Sequence, residues 1–348
     1  SGIGSYLFLR FIGLKTISYY LLTSLFAIII GLGLTNILKP GDTYIHSEAT
    51  KTYDYSNLNT PDSTLDIFIR MIPTNPISAA ANGDMLSLIF FTILLGISIT
   101  QLSINHKKNL TSFFESLFQA VMKLTQIIIK LSPIGVFGLI VKTVSTSNIE
   151  LFYSIGKYML TITVGLSIHI FIVLPILFLL ITGINPLKHF KAMSSAMATA
   201  FSTSSSSSTL PVTIKCVNEN VKASKEVSGF VLPMGATINM DGTALYECAG
   251  VIFISQILGV ELTVSQQIIV VITALLASIG AAGIPSAGLV MIFIVTSAVG
   301  LNDPQVGVII GAMLAIDRPL DMFRTMVNVS SDSVGAAVIA KSEGEKLY

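Results

Sequence analysis

Five polar residues, Asp317, Asp321, Arg324, Asn328 and Asp332, interrupt the last apolar stretch of the sequence. At 100° per residue they fall within an arc of about 80° on one helix face. In hydrocarbon each charge would cost about 2.5–3.5 kcal/mol, so the stripe must face protein, water, ions or a bound molecule. A purely structural network, with Arg324 paired to Asp321 and Arg318 to Asp317, still leaves one carboxylate without a countercharge. A cation would supply it.

Hard cations take oxygen ligands. Asn239 and Asp241, upstream in the run NMDGT, offer such oxygens together with Asn328 and Asp332, and Gly235 and Gly242 free the local backbone to turn carbonyls toward an ion. The alternative is a glycine-kinked helix whose Asn and Asp bond their own backbone. Arg324 suits a carboxylate, because the guanidinium fork matches one with two parallel hydrogen bonds. Asp321, one turn earlier, suits an ammonium. Together they describe an amino acid with an acidic side chain: ammonium on Asp321, side-chain carboxylate on Arg324, and α-carboxylate on Asn328 and the N–H groups of the serine run 202–209. A neutral molecule would leave Arg324 unpaired in a dry site. Serine tracts are usually flexible linkers; this one lies between apolar segments, where N–H groups at a helix start can hold an anion.

These side chains need elements to carry them, and composition says what kind. The 348 residues are 11% charged, with 20 Lys+Arg against 19 Asp+Glu and a mean hydropathy of +0.79. Soluble domains carry about 25% charged residues, so the chain reads as an all-α integral membrane protein with room for about ten crossings of some 20 residues. A net charge of +1 gives no basic surface for nucleic acid. Cys216 and Cys248 have no metal-ligand spacing and form no disulfide framework. The opening SGIGSYLFLR has neither a charged start nor an Ala-x-Ala site, so no signal peptide is expected, and the missing initiator Met reads as N-terminal truncation.

Runs free of charge at 16–38, 85–105 and 158–187 are long enough to cross a bilayer. Segment 110–141 reads as a long helix with Glu115, Lys123 and Lys130 on one face, and 63–83 as a short broken element holding Asp66 and Arg70. Lys and Arg cluster at 106–108, 188–191, 215–225 and 341–346, which parity puts on the cytoplasmic side with the C-terminus, leaving 40–61 and 143–156 external. Parity then returns 192–214 and 262–302 to the side they came from. Each reads as a re-entrant hairpin, one with a serine tip and one with the glycine-rich tip 280–288, and each precedes a polar span, 227–257 and 304–340. Hairpin then polar span, twice and from opposite sides, is the pattern of an inverted repeat with a binding site at its interface.

The chain resembles the dicarboxylate/amino acid:cation symporter family. The motifs that carry the resemblance are YYLLTS at 19–24, IPTNP at 72–76, SSSSTLPVT at 205–213, GATINMDGTALYE at 235–247, ASIGAAGIPSAG at 277–288 and DMFRTMVNVSSD at 321–332. It implies a homotrimer in the cell membrane with an elevator mechanism, in which a transport domain slides past a fixed scaffold and the second hairpin is the gate. Residues 1–61 would hold the first span and an external loop, 62–185 mainly scaffold and trimerisation helices, and 186–348 the transport core (hairpin 186–214, polar span 226–257, hairpin 262–302, polar span 304–340). Substrate ligands by resemblance are Ser206 through its main chain, Thr243, Asp321, Arg324, Thr325 and Asn328, under a tip running from Ile284 to Gly288. One sodium set is Gly235, Asn239, Asn328 and Asp332; a second is Thr237 with the backbone of Ser278, Ile279 and Ala281; a third is Tyr20, Thr23, Ser24, Asn239 and Asp241. Sodium ions are thus expected as co-transported ligands, with no cofactor.

The chain also departs from the family. Members often begin with two further helices, and an arginine that relatives carry near the serine motif or after the Asp321 position is replaced by Ser204 and Met322, leaving Arg318 as the available substitute. Glu247 stands where proton-coupled relatives have Glu, which makes it a candidate to carry a proton inward. No H-E-x-x-H, G-x-S-x-G or phosphate loop is present, and no His lies near the polar stripe in sequence, so an enzyme is not expected. The expected function is sodium-coupled uptake of L-glutamate or L-aspartate; a C4-dicarboxylate, or a neutral amino acid or cystine, is the alternative substrate.

Overall fold

The computed structural model describes residues 2–42, 72–82, 85–146, 149–281, 286–301 and 304–348, and every regular element among them is helical. The expected external stretch 43–61, the charges Asp66 and Arg70, and Ile284 lie outside the described residues. In chain order the helices are α1 (Gly2–Leu38), α2 (Pro76–Asn82), α3 (Met85–Thr100), α4 (Ile104–Thr146) and α5 (Ile149–Ile168). A π-helical turn, His169–Val173, joins α5 to α6 (Leu174–Thr182). Then come α7 (Pro186–Thr203), α8 (Ser206–Cys216), a second π turn Val217–Val221, α9 (Lys225–Ile238), α10 (Asp241–Ile257), α11 (Val264–Gly280), α12 (Ala287–Ala298) and α13 (Pro304–Ser342).

Among the described residues, two stretches are long and apolar enough to cross a membrane, Ile12–Leu38 and Glu150–Thr182. The expected span 85–105 is a shorter helix, α3, which ends at Thr100 where a turn leads into the polar start of α4. The polar span 227–257 is two helices: Asn239 and Met240 leave helical geometry between α9 and α10. The polar span at the end is one 39-residue helix that runs through Pro319.

The serine run folds as a tight turn between two helices. Ser204 takes a left-handed conformation (φ 50°) and closes α7, its N–H donating to the Ala200 carbonyl; Ser205 then caps α8, its hydroxyl accepting from the Ser208 N–H. Caps of this kind satisfy donors that a helix start leaves unpaired. On the other hairpin, Thr263 and Gln266 form a reciprocal capping box at the head of α11.

α10 is the axis of the molecule. From Asp241 to Ser255 every residue is buried, as befits a helix enclosed on all sides. α1 lies against it so closely that a β-carbon at Gly31 would sit 2.7 Å from the Leu245 carbonyl oxygen. One apolar cluster gathers α5, α10, α11, α12 and the first half of α13; a second gathers α7, α8, α9 and the second half of α13. α13 threads both, so its polar stripe runs along the seam. Beyond it the chain end bonds back onto the hairpin base: Glu345 accepts from the N–H and hydroxyl of Ser224, and the Tyr348 N–H donates to the Val221 carbonyl.

Candidate functional site

The helical periodicity of α13 delivers Asp317, Asp321, Arg324, Asn328 and Asp332 to one inward face, and all five are buried. Arg324 sits at its centre, 1% exposed. Its Nη2 donates to Asp317 Oδ1 at 3.0 Å and to Asp321 Oδ1 at 2.9 Å, and its guanidinium carbon lies 3.8 Å from the centre of the Tyr246 ring. The ring face fixes the plane of the fork by cation–π attraction. Nε and Nη1 remain buried with no partner among the described residues. Leaving such donors unmade costs about 1–3 kcal/mol each, more for a charged group. They point to an acceptor that arrives from outside the protein, and a carboxylate oxygen is the acceptor that best matches a charged donor.

The pocket is closed from two sides. From α10, the Gly242 N–H donates to Asn328 Oδ1 at 2.8 Å, and Asn328 Nδ2 donates to the Thr243 hydroxyl at 3.3 Å. From the second hairpin, the Ser286 N–H donates to Asp321 Oδ2 at 2.9 Å. Gly288 comes so near that a β-carbon there would stand 3.0 Å from Thr243 Cγ2 and 3.3 Å from Arg324 Nη1. Each oxygen of Asp321 thus accepts one bond within the protein and keeps a lone pair for a further donor such as an ammonium. Thr325 is buried on the same helix, and Ser206 is buried in the first turn of α8, beside the Ser204 hydroxyl, which has no partner among the described residues.

Below this pocket, the break at Asn239 and Met240 gathers oxygen atoms. Asn239 Nδ2 donates to Asp332 Oδ1 at 2.9 Å and to the Ser331 hydroxyl at 3.0 Å. A β-carbon at Gly235 would stand 2.5 Å from Asp332 Oδ1 and 2.6 Å from the Tyr20 hydroxyl, so only glycine leaves this cradle open. On the α1 side, the Ser24 hydroxyl donates to Asp241 Oδ1 at 2.7 Å. The Thr23 hydroxyl lies within reach of four acceptors, the carbonyls of Tyr19 and Tyr20 at 3.2 Å, Asp241 Oδ1 at 3.3 Å and Asn239 Oδ1 at 3.4 Å. One hydroxyl proton cannot serve four oxygens. A site so rich in oxygen and short of protons has the chemistry of a hard-cation cage.

The structure thus brings together most of the expected residues. Gly235, Asn239 and Asp332 share one cradle with Tyr20 beside it, and Thr23, Ser24, Asn239 and Asp241 share the adjoining cage, while Asn328, one turn before Asp332 on α13, bonds to Gly242 and Thr243. Of the second expected sodium set, Thr237 is exposed, its hydroxyl donates back to the Met234 carbonyl at 3.0 Å, and no hydrogen bond joins it to α11 among the described residues. Ser278 and Ala281 are buried at the end of α11, with the Ser278 hydroxyl on the Leu275 carbonyl. Asp317 pairs with Arg324 and not with Arg318, which is exposed. Glu247 is fully buried on α10, and neither of its oxygens has a partner among the described residues.

Sequence reasoning missed His169. It sits in an apolar run far from the polar stripe in sequence, yet the π turn sets its Nε2 2.9 Å from Asp241 Oδ2, with both side chains wholly buried. Tyr246 was also missed, since an aromatic ring face leaves no mark in a pattern of charges, whereas Ser286 lies within the expected tip from Ile284 to Gly288.

The chain matches the sodium:dicarboxylate symporter family over residues 2–342. It is 37% identical over 385 residues to mouse excitatory amino acid transporter 3, an alignment that covers 97% of this chain and 73% of the relative. It is 36% identical to an excitatory amino acid transporter of Caenorhabditis elegans, covering 94% of this chain and 73% of the relative. With mouse excitatory amino acid transporter 4 the identity is 42% over 297 residues, covering 84% of this chain and 52% of the relative.

Proposed function

The chain belongs to the sodium:dicarboxylate symporter family, and on that premise we propose that it is a secondary active symporter that couples sodium to uptake of an acidic amino acid, L-glutamate or L-aspartate. One observation carries the choice of substrate: Arg324 holds two buried, unclaimed donors one turn from the Asp321 carboxylate. The side-chain carboxylate accepts from a free donor of Arg324, the ammonium takes Asp321, and the α-carboxylate takes Asn328 and the N–H groups at the head of α8. Sodium occupies the oxygen cages at the break between α9 and α10, where it supplies the countercharge that Asp241 and Asp332 lack. The relatives' name, excitatory amino acid transporter, supports an amino acid over a C4-dicarboxylate, which has no ammonium for Asp321.

Asn328 belongs to both expected ligand sets and stands one turn from Asp332 on α13, so ion and substrate binding would meet at neighbouring side chains. Such sharing is a physical route to coupling, because occupancy of one site sets the geometry of the other. The gate is the second hairpin, α11 and α12, whose Ser286 N–H must leave Asp321 for substrate to enter. In this reading both hairpins are re-entrant, the hairpins and the polar helices α9, α10 and α13 form a transport domain that moves as an elevator, residues 62–185 supply most of the scaffold of a homotrimer, and the C-terminus is cytoplasmic. The long exposed apolar face of α4, with Phe113, Leu117, Val121 and Leu124, is of the kind that lipid or a neighbouring subunit covers.

The test is uptake of radiolabelled glutamate, aspartate, serine, cystine and succinate into liposomes under an imposed sodium gradient. Concentrative, saturable uptake of glutamate or aspartate is expected; succinate or serine as the preferred substrate, or flux that ignores the gradient, overturns the proposal. Glu247 is the candidate proton carrier, and a Glu247→Gln variant is expected to lose the pH dependence of uptake. A variant that keeps it removes the proton from the scheme.

A further inference from the structure

We infer that His169 is a positioning residue for the cation cage at the break between α9 and α10: its ring holds one oxygen of Asp241 so that the other faces Thr23, Ser24 and Asn239. The inference rests on the proposed cation-binding role of that cage.

Hydrogen-bond geometry fixes the direction of the contact. Nε2 lies 2.9 Å from Asp241 Oδ2, while Nδ1 is buried with no partner among the described residues. A ring that carries its single proton on Nε2 satisfies both facts. A proton on Nδ1 would be a buried orphan donor, and would turn the Nε2 lone pair toward a carboxylate oxygen. Asp241 Oδ1, meanwhile, takes the Ser24 hydroxyl at 2.7 Å. With one oxygen pinned from α5 and the other engaged from α1, the carboxylate cannot swing about its own bond, and its cage-side lone pairs point where an ion would sit. The same logic operates where a residue behind a metal ligand fixes that ligand's orientation.

The backbone is built for this contact. His169 opens the π turn, a one-turn widening of the helix that recurs at functional sites. The wider turn lets two consecutive residues, His169 and Ile170, both be fully buried. It also returns the helix to register, so Leu166 before it and Leu174 after it both reach the interior.

The experiment measures the sodium dependence of glutamate or aspartate binding to purified protein carrying His169→Gln, which keeps a donor near the Nε2 position, and His169→Leu, which keeps bulk and loses the donor. His169→Leu is expected to raise the half-saturating sodium concentration roughly tenfold or more, the scale of one lost hydrogen bond to a charged group. Substrate affinity at saturating sodium should change little, and His169→Gln should stay close to the unaltered protein. Unchanged sodium dependence in His169→Leu, or equal damage in both variants, overturns the inference. A second measurement needs no variant: ¹⁵N NMR of histidine-labelled protein should find the His169 ring protonated at Nε2, and an Nδ1–H ring also overturns it. If the unaltered protein binds substrate without any sodium dependence, the cation reading itself fails and takes this inference with it; normal sodium dependence with indifferent variants sinks the positioning role alone.

Discussion

Arg324 has a ring on one face, two carboxylates on one nitrogen and two empty donors, and each of these constrains what the residue can do. Because Asp317 and Tyr246 hold the guanidinium in place before any ligand arrives, binding costs little reorganisation of the fork. Replacing it with a neutral residue strands Asp317 and Asp321 as well as removing the donors. An Arg324→Gln variant is therefore expected to lose affinity for glutamate and aspartate by about 100-fold or more, the scale of a broken buried charge pair, with a smaller change for serine; equilibrium binding at saturating sodium checks it. The stripe on α13 was legible because charge is so rare in this chain that five polar residues at helical spacing stand out. Of its pairing, Arg324 with Asp321 was legible and Asp317 with Arg324 was not. Periodicity says which residues share a face, whereas Asp317's pairing with Arg324 over the solvent-exposed Arg318 depends on which way Arg324 turns once Tyr246 is packed beneath it.

At the level of elements, the break between α9 and α10 does most to create the cages. Two residues out of helical geometry turn Asn239 inward and leave Asp241 in the first turn of a new helix, where the N-terminal end of the helix dipole favours an anion. The opening survives only because α9 presents no side chain at Gly235. A Gly235→Ala variant drives a methyl group against Asp332 Oδ1 and the Tyr20 hydroxyl, so its half-saturating sodium concentration should rise by about tenfold or more while folding, followed by thermal melting, is less affected. If the sodium curve does not move, the cradle is not an ion site. The run NMDGT gave sequence grounds for an ion site, but a kinked continuous helix was an equal reading of the same letters. The turn between α7 and α8 was visible as a serine tip in an otherwise apolar run, while most of the glycine-rich tip before α12 lies outside the described residues. The π turn was invisible, since a single widened turn changes no hydrophobic pattern long enough to notice, and with it went His169. Span 85–105 came out short for a related reason: absence of charge does not distinguish a helix from the turn that follows it.

Across the whole molecule, the described residues bury five carboxyl groups, Asp241, Glu247, Asp317, Asp321 and Asp332, around a single guanidinium. Composition could not show this, because the chain as a whole is almost neutral at +1; the imbalance exists only once the fold has sorted inside from outside. The consequence is electrical. If more than one of these carboxyls stays ionised without sodium, the empty core is an anion, and moving one charge through the full field costs or yields about 2.3 kcal/mol per 100 mV. If the core crosses the field, an inside-negative voltage pushes the unloaded anionic form outward, back to where it can reload. Uptake into vesicles clamped by a potassium diffusion potential should accelerate as the interior is made more negative, and rates indifferent to the clamp would mean that protons have already discharged those carboxyls.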